Sequence, residues 1–502
     1  MSYLKVLFTG LIISILSIFL SSCAEAELND SPLEEDVVAT QSFVQVNIGN
    51  TDGFSSRGDS DIFQDGTPAE NRIDDIAFFF FDDKGNPFNI TSASLRSSSN
   101  CVLPITLSSS SALIMLGREI SKDRFPSRVV AIANLRGNYS RLSGLPIGEL
   151  VKQTHGLPSA DGDSFVMTSS TYIDDRNEKV FWSSLSINNV CSSPSEAERN
   201  PVRIYLERLA AKVTVTLSGK VLNGDSYKVA SRTVLDKDGN STAKDFYAKI
   251  LGWDLNATAQ GCYLIKNIDE KNVPFSGWNN SAGHRSYWAV NPANVALKKN
   301  FSWGTLSRRI GKSAYCYENT RQSEIKTNFQ DAVTDATKVI LKAQITDVNG
   351  SPQDIISFSG TLYYAEDFKT LVARYADPAS GNPEKVKFLR GEIDGALHKI
   401  STYYGDKKLD QFDNIRYWEN GICYYVANLR HDYSDTGQPV YGVVRNHEYR
   451  LDVSSILGLG TPGGPSEHPS PENPEKELGS TVNADVQILN WHLLDFDVDV
   501  ES

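Results

Sequence analysis

Cysteine, methionine and histidine are scarce in this sequence, with 6 Cys, 3 Met and 7 His among 502 residues. Beyond Cys23, the cysteines Cys101, Cys191, Cys262, Cys316 and Cys423 lie far apart and form no CxxC pair. That spacing argues against a zinc site or a dense disulfide framework, so buried free thiols, or at most two bridges, are expected. The histidines are scattered, and His447-Glu448 lacks the second histidine of a zincin. No P-loop, GxSxG elbow or GxGxxG after a strand is present. Asp236-Lys237-Asp238-Gly239 falls short of an EF-hand, because the glycine comes early and no glutamate closes the loop. An enzyme is therefore not expected, and neither a cofactor nor a metal is implied. Basic charge is also short: 49 Lys and Arg stand against 62 Asp and Glu, a net charge of −13. With no basic stretch, the chain is unsuited to nucleic acid.

Long apolar runs are absent except at the N-terminus. There Lys5 precedes an apolar run over residues 6–20, followed by Ser21-Ser22-Cys23. A basic start, a short apolar stretch and small residues make a signal peptide, and the run is shorter than the ~20 residues of a spanning helix. Cys23 after Leu20-Ser21-Ser22 resembles the lipobox of bacterial lipoproteins, which implies a diacylglycerol on its thiol. Glu25 and Glu27 resemble the acidic export signals of surface lipoproteins in Bacteroidetes.

The body reads as strands. Apolar and β-branched runs at 76–81, 129–135, 165–168, 202–206, 213–217, 339–345, 423–427 and 441–444 are separated by Gly, Asn, Asp and Ser clusters. Asp82-Asp83-Lys84-Gly85-Asn86 is a turn signal. One short helix is expected, from Phe368, Leu371, Val372 and Tyr375 at i, i+3, i+4 and i+7. Many strands with few helices give an all-β chain of sandwiches. A boundary near Ser218-Gly219 separates a first domain, 58–218, from a second, 219–459.

Residues 460–479 hold five prolines, at 462, 465, 469, 471 and 474, and read as a semi-rigid spacer. Beyond it, 480–502 are too few for a domain, yet they alternate as strands. Val482, Ala484, Val486 and Ile488 share one face; after Trp491, Leu494, Phe496, Val498 and Val500 do the same. The carboxylates Asp495, Asp497, Asp499 and Glu501 fit a solvated face better than a calcium site. A strand pair alone in water is marginal, so the tail must join a sheet: its own second domain, or another molecule by strand addition. Near the other end, Val44, Val46 and Ile48 carry the same alternation. Residues 49–64 follow, a polar loop whose single basic residue is Arg57. Such a loop is a favoured site of nicking. A cut between Arg57 and Gly58 would free residues 23–57 and could empty a strand slot for the tail of another subunit.

In order and spacing, several segments resemble the Bacteroidales fimbrillins, the type V pilus subunits, and most nearly the shaft subunit of minor fimbriae in Porphyromonas-type bacteria. They include the lipobox at Cys23, residues 42–48 with Arg57-Gly58-Asp59, and 73–85. VRIYLERLAAKV at 202–213, SYWAV at 286–290, AYCYENT at 314–320 and YGVVRNHEY at 441–449 continue the series, which ends in the spacer and tail. The resemblance implies two tandem transthyretin-like β-sandwiches and an outer-membrane lipoprotein precursor cut by an Arg-specific surface protease. It also implies a displaced first strand and a donor strand at 482–500. Its implied partners are like subunits, anchor and tip subunits, and host or bacterial surface ligands. A monomeric surface lipoprotein binding glycan or protein, or a tip or accessory subunit, is the alternative. Arg57-Gly58-Asp59 also spells an integrin-type tripeptide, but three residues recur by chance and the cut would destroy it.

Overall fold

The computed structural model describes residues 42–491 apart from 50–62, 65, 92–97, 109–110, 117–119, 121–123, 157–163, 175, 177, 220–224, 236–239, 269–287, 299–305, 307, 321–334, 359–360, 369, 371–414, 434–436, 438 and 463–480. Cys23, Arg57, Gly58, Leu494, Phe496, Val498 and Val500 thus lie outside the described residues.

Strands dominate, as the alternating apolar runs require. The first large sheet runs in the order Cys101–Val102, Ile76–Phe81, Arg128–Ala133, Met167–Ser169, Val202–Arg208, Ser42–Gly49, Ser111–Leu116, Thr106–Leu107. Ile76–Phe81 is buried at all six positions, because both of its faces are covered. Phe78 and Phe80 enter a core with Val44, Ile114, Val129 and Ile204. Ala77, Phe79 and Phe81 face the other way, into a layer with Leu142, Leu264 and Ile265. Residues from distant strands of the sheet share the first of these cores, so the sheet wraps around it. The turn after Phe81 forms as expected: Asp82 Oδ1 accepts from the amides of Lys84 and Asn86, and Gly85 takes φ 82°.

Farther along the chain, two sheets face each other. One contains Thr481–Trp491, His447–Leu457, Ala210–Leu217 and Ser313–Tyr317; the other contains Ser226–Leu235, Ser241–Asn256, Lys338–Thr346 and Ile422–Asn428. Val213, Val215, Leu451 and Val453 of the first meet Phe246, Trp253, Leu341 and Ile345 of the second in one core. That is a β-sandwich.

Between Val202–Arg208 and Ala210–Leu217 the chain changes sheet at a single residue. Val202–Arg208 ends in the first sheet, Leu209 packs beneath it, and Ala210–Leu217 already belongs to the sheet that contains His447–Leu457. The change of sheet therefore falls ahead of the expected boundary at Ser218-Gly219. Of the expected strand at 441–444, only Tyr441 lies in a strand, Pro439–Tyr441; beyond it Val443 makes one bridge to Asn319. The cause is Gly442, at φ 143°, where a Cβ would stand 2.6 Å from the Asn319 carbonyl oxygen. The expected helix begins at 365–368, and its later positions lie outside the described residues.

Cys101, Cys191, Cys262, Cys316 and Cys423 are free thiols, all buried except the half-buried Cys101. Burial pushes Cys101 up to about 11, Cys316 and Cys423 up to about 12, and Cys262 higher still. Because the thiolate is the nucleophile, the folded protein should resist alkylation at mildly alkaline pH. Mass spectrometry after iodoacetamide should find the core thiols modified only in denaturant; rapid labelling of Cys316 or Cys423 in the native state would contradict this packing.

Candidate functional site

The N-terminal strand sits inside a sheet, not at its edge. Ser42–Gly49 runs parallel to Val202–Arg208, with Val46 opposite Val202 and Ile48 opposite Ile204. On its other side it runs antiparallel to Ser111–Leu116, with Val44 opposite Ile114 and Val46 opposite Ala112. Phe43 also exchanges backbone hydrogen bonds with Cys191, at 2.8 and 2.9 Å. The expected alternation is realised: Val44, Val46 and Ile48 are 0% exposed in the core, while Phe43 and Asn47 are half-buried on the opposite face. Three such side chains contribute together about 5–9 kcal/mol. Without this strand, the sheet would lose an interior member and leave two backbone edges unpaired.

The tail strand is held less completely. Thr481–Trp491 pairs antiparallel with His447–Leu457 along nearly its whole length, with a bulge between Val453 and Ser455. Its opposite edge has partners, among the described residues, only at Asn490 and Trp491, against Phe63 and Gln64. Val482, Ala484, Val486, Ile488 and Trp491 therefore lie on a strand paired within the same chain, beside His447–Leu457. The structure does not bring them to Val44, Val46 and Ile48 within one molecule.

A band of buried charge lies where the first sheet hands over to the second. Lys212 stands 3.0 Å from Glu70 and 3.8 Å from Glu448. Tyr315 donates to Glu70 Oε1 at 2.7 Å, and the Thr67 amide donates to Oε2 at 2.7 Å. Burial alone would raise the Glu70 carboxyl, but these hydrogen bonds and the Lys212 charge hold it below the usual range. Arg208 Nε donates to the Glu70 carbonyl at 3.1 Å, its Nη1 to Asn446 Oδ1 at 3.1 Å, and its Nη2 to Asn71 Oδ1.

Deeper still, Arg445 grips Glu318 through two hydrogen bonds of 2.7 and 2.6 Å. The same guanidinium donates to the carbonyls of Tyr263 at 2.6 Å and Leu264 at 3.0 Å. Lys266 contacts Glu207 at 2.5 Å. None of these charges was expected from strand patterning. The available signal was charged residues placed inside otherwise apolar stretches, Glu207-Arg208 in VRIYLERLAAKV and Arg445 in YGVVRNHEY. Among the described residues, no group of three or more His, Cys, Asp or Glu is arranged to hold a metal.

Residues 416–497 match the family model described as major fimbrial subunit protein type IV, fimbrillin, C-terminal. No curated protein matches the chain. Among solved structures, one described as a cell adhesion protein from Parabacteroides distasonis is 13% identical, with 89% of this chain and 96% of that one covered and a TM-score of 0.42. The tip fimbrial protein Mfa3 of Porphyromonas gingivalis, truncated at its C-terminus, is 10% identical, covering 90% and 100%, with a TM-score of 0.36. A fimbrial assembly protein of Parabacteroides distasonis is 12% identical, covering 89% and 98%, with a TM-score of 0.31.

Two substitutions probe this region. Val46→Asp places an unpaired carboxylate in the core and should cost about 3–5 kcal/mol, whereas Asn47→Asp on the other face should stay within about 0.5 kcal/mol. Thermal unfolding measures both, and equal effects would contradict the strand's orientation. Glu70→Ala should cost about 3 kcal/mol near neutral pH. The Glu70 carboxyl is lowered in the fold, so its stabilisation is present above the ordinary carboxylate range and is lost as pH falls through its lowered value. The gap between Glu70→Ala and the parent protein should accordingly shrink in acid.

Proposed function

With its C-terminal region in the fimbrillin family, we propose that this chain is a structural subunit of a cell-surface fimbrium that polymerises by exchanging strands. The observation that carries this reading is the unequal seating of the chain's two terminal strands. Ser42–Gly49 fills an interior slot with a ladder on each side, while Thr481–Trp491, among the described residues, is laddered along most of its length on one side and at Asn490 and Trp491 on the other.

The steps follow from that inequality. The precursor travels as a lipoprotein, acylated at Cys23 and anchored in the outer membrane. An Arg-specific surface protease cuts between Arg57 and Gly58. Residues 23–57 are then held only by non-covalent contacts, chiefly the two ladders and the burial of Val44, Val46 and Ile48. The tail of a neighbouring subunit offers Val482, Ala484, Val486 and Ile488 at the same two-residue period, with Trp491, Leu494, Phe496, Val498 and Val500 beyond them. A tail entering the slot gains a ladder on both sides and buries equivalent apolar volume, which favours replacement over return of the excised strand. The 460–479 spacer, up to roughly 60 Å long if extended, allows the tail to reach a second molecule.

A non-enzymatic, adhesive role at the cell surface accords with the fimbrillin match. Anchor and tip subunits would be the partners at the two ends of the polymer, and host or bacterial surfaces its targets.

Two experiments test the scheme. Deleting 483–502 should yield a folded, surface-exposed monomer that forms no fibres under negative-stain microscopy; normal fibres from that protein would refute strand donation. Arg57→Ala should hold the chain as an uncut lipidated precursor, and the assembled parent protein should begin at Gly58 on N-terminal sequencing. Fibres of the variant with an unchanged start would point to a different cut.

A further inference from the structure

Glu207 and Lys266 meet in a setting that a simple ion pair does not explain. Both side chains are 1% exposed, and Lys266 Nζ stands 2.5 Å from Glu207 Oε2. A buried carboxylate normally satisfies its remaining lone pairs with hydrogen bonds, since desolvating an ion is otherwise costly. Yet beyond the Lys266 contact no hydrogen bond from another described group reaches either Glu207 oxygen, so the carboxyl group is left with the amine as its close polar neighbour. Burial raises the Glu207 carboxyl, against the pull of the Lys266 and Arg445 charges.

The two groups are also held in place by the same strand. Thr168 lies opposite Glu207 in the ladder between Met167–Ser169 and Val202–Arg208. The Thr168 hydroxyl donates to the Leu264 carbonyl at 3.1 Å, and the Thr171 hydroxyl donates to the Lys266 carbonyl at 3.3 Å. Arg445 fixes the same segment through the Tyr263 and Leu264 carbonyls, and is itself immobilised by Glu318. Amine and carboxyl are thereby positioned before any reaction, which removes most of the entropic cost of bringing them together.

We propose that Lys266 and Glu207 condense after folding into an intramolecular amide. A proton passes from the ammonium to the carboxylate, giving an amine and a carboxylic acid. The Nζ lone pair attacks Cδ of Glu207, and the Arg445 guanidinium supports the oxyanion of the tetrahedral adduct. The Cδ–O bond to the hydroxyl then breaks, the hydroxyl departs with the second Nζ proton as water, and an Nζ–Cδ amide remains. No oxidant, cofactor or second substrate is required. The burial that makes the ion pair costly also excludes the water that would reverse the step.

The product would staple Val202–Arg208, one wall of the slot that holds the N-terminal strand, to the segment after Gly261–Tyr263 that covers the outer face of the first sheet. That wall would stay in place under tension or while the slot is empty. The inference rests on the Glu207–Lys266 geometry alone and not on strand exchange.

Peptide mapping of the full-length protein, denatured and digested with trypsin, tests it directly. An amide blocks cleavage after Lys266, so residues 204–208 should appear joined to residues 250–271 in one branched peptide, lighter than the two together by one water. Fragmentation should place the branch at Glu207 and Lys266. Recovery of that species from the folded protein, in full or in part, supports the amide. Complete cleavage after Lys266, with 204–208 found only as a free peptide, overturns it and leaves a buried ion pair.

Discussion

The parallel pairing of Ser42–Gly49 with Val202–Arg208 is the contact on which the rest of the architecture depends. It completes the interior of the first sheet and places Val44, Val46 and Ile48 beside Ile204 and Ile114. It also braces the strand that runs on, through Leu209, into the sheet that contains Ala210–Leu217. A parallel pair has no hairpin to enforce it, because its strands lie far apart in sequence. Its stability comes from the core side chains and the two ladders, so the N-terminal strand is held by contacts that continuity of the chain does not reinforce.

The charged residues at the sheet junction follow a different logic. Removing ions from water is expensive, and an apolar junction of equal volume would often be as stable. What Glu70, Lys212, Arg208 and Asn446 supply is directionality, since each hydrogen bond is satisfied in only one arrangement of the sheets. Arg445 adds a rigid fork that ties Glu318, just past the strand Ser313–Tyr317, to the backbone of the 263–264 segment. A junction with one satisfied geometry resists rotation better than a smooth apolar contact.

Strand positions were legible because burial on one face imposes a period of two. The run at 76–81 was recognisable as a strand, although its six consecutive apolar residues carry no alternation, since both faces are covered. The strand read at 441–444 stops at Tyr441, because hydrophobicity says nothing about the backbone angle of Gly442. The sheet change at Leu209 was equally hidden: Val202–Arg208 and Ala210–Leu217 have similar strand chemistry, and nothing in VRIYLERLAAKV marks the residue where one sheet gives way to another. Glu207 and Lys266 are far apart in sequence and ordinary in type, so only folding brings them together.

The sequence by itself determined the alternating apolar and polar positions of Ser42–Gly49 and Thr481–Trp491, the cluster of prolines ahead of the latter, and the absence of catalytic or metal-binding motifs. These are local properties, written in neighbouring residues and in the covalent order of the chain. Tertiary structure alone decided that Ser42–Gly49 is an interior strand with two ladders and that the second edge of Thr481–Trp491 is paired, among the described residues, only at Asn490 and Trp491. It also decided which charges are buried together. Partner choice in a sheet, and the burial of an ion, depend on surfaces contributed by residues hundreds of positions apart. Their free energies exist only once those surfaces have met.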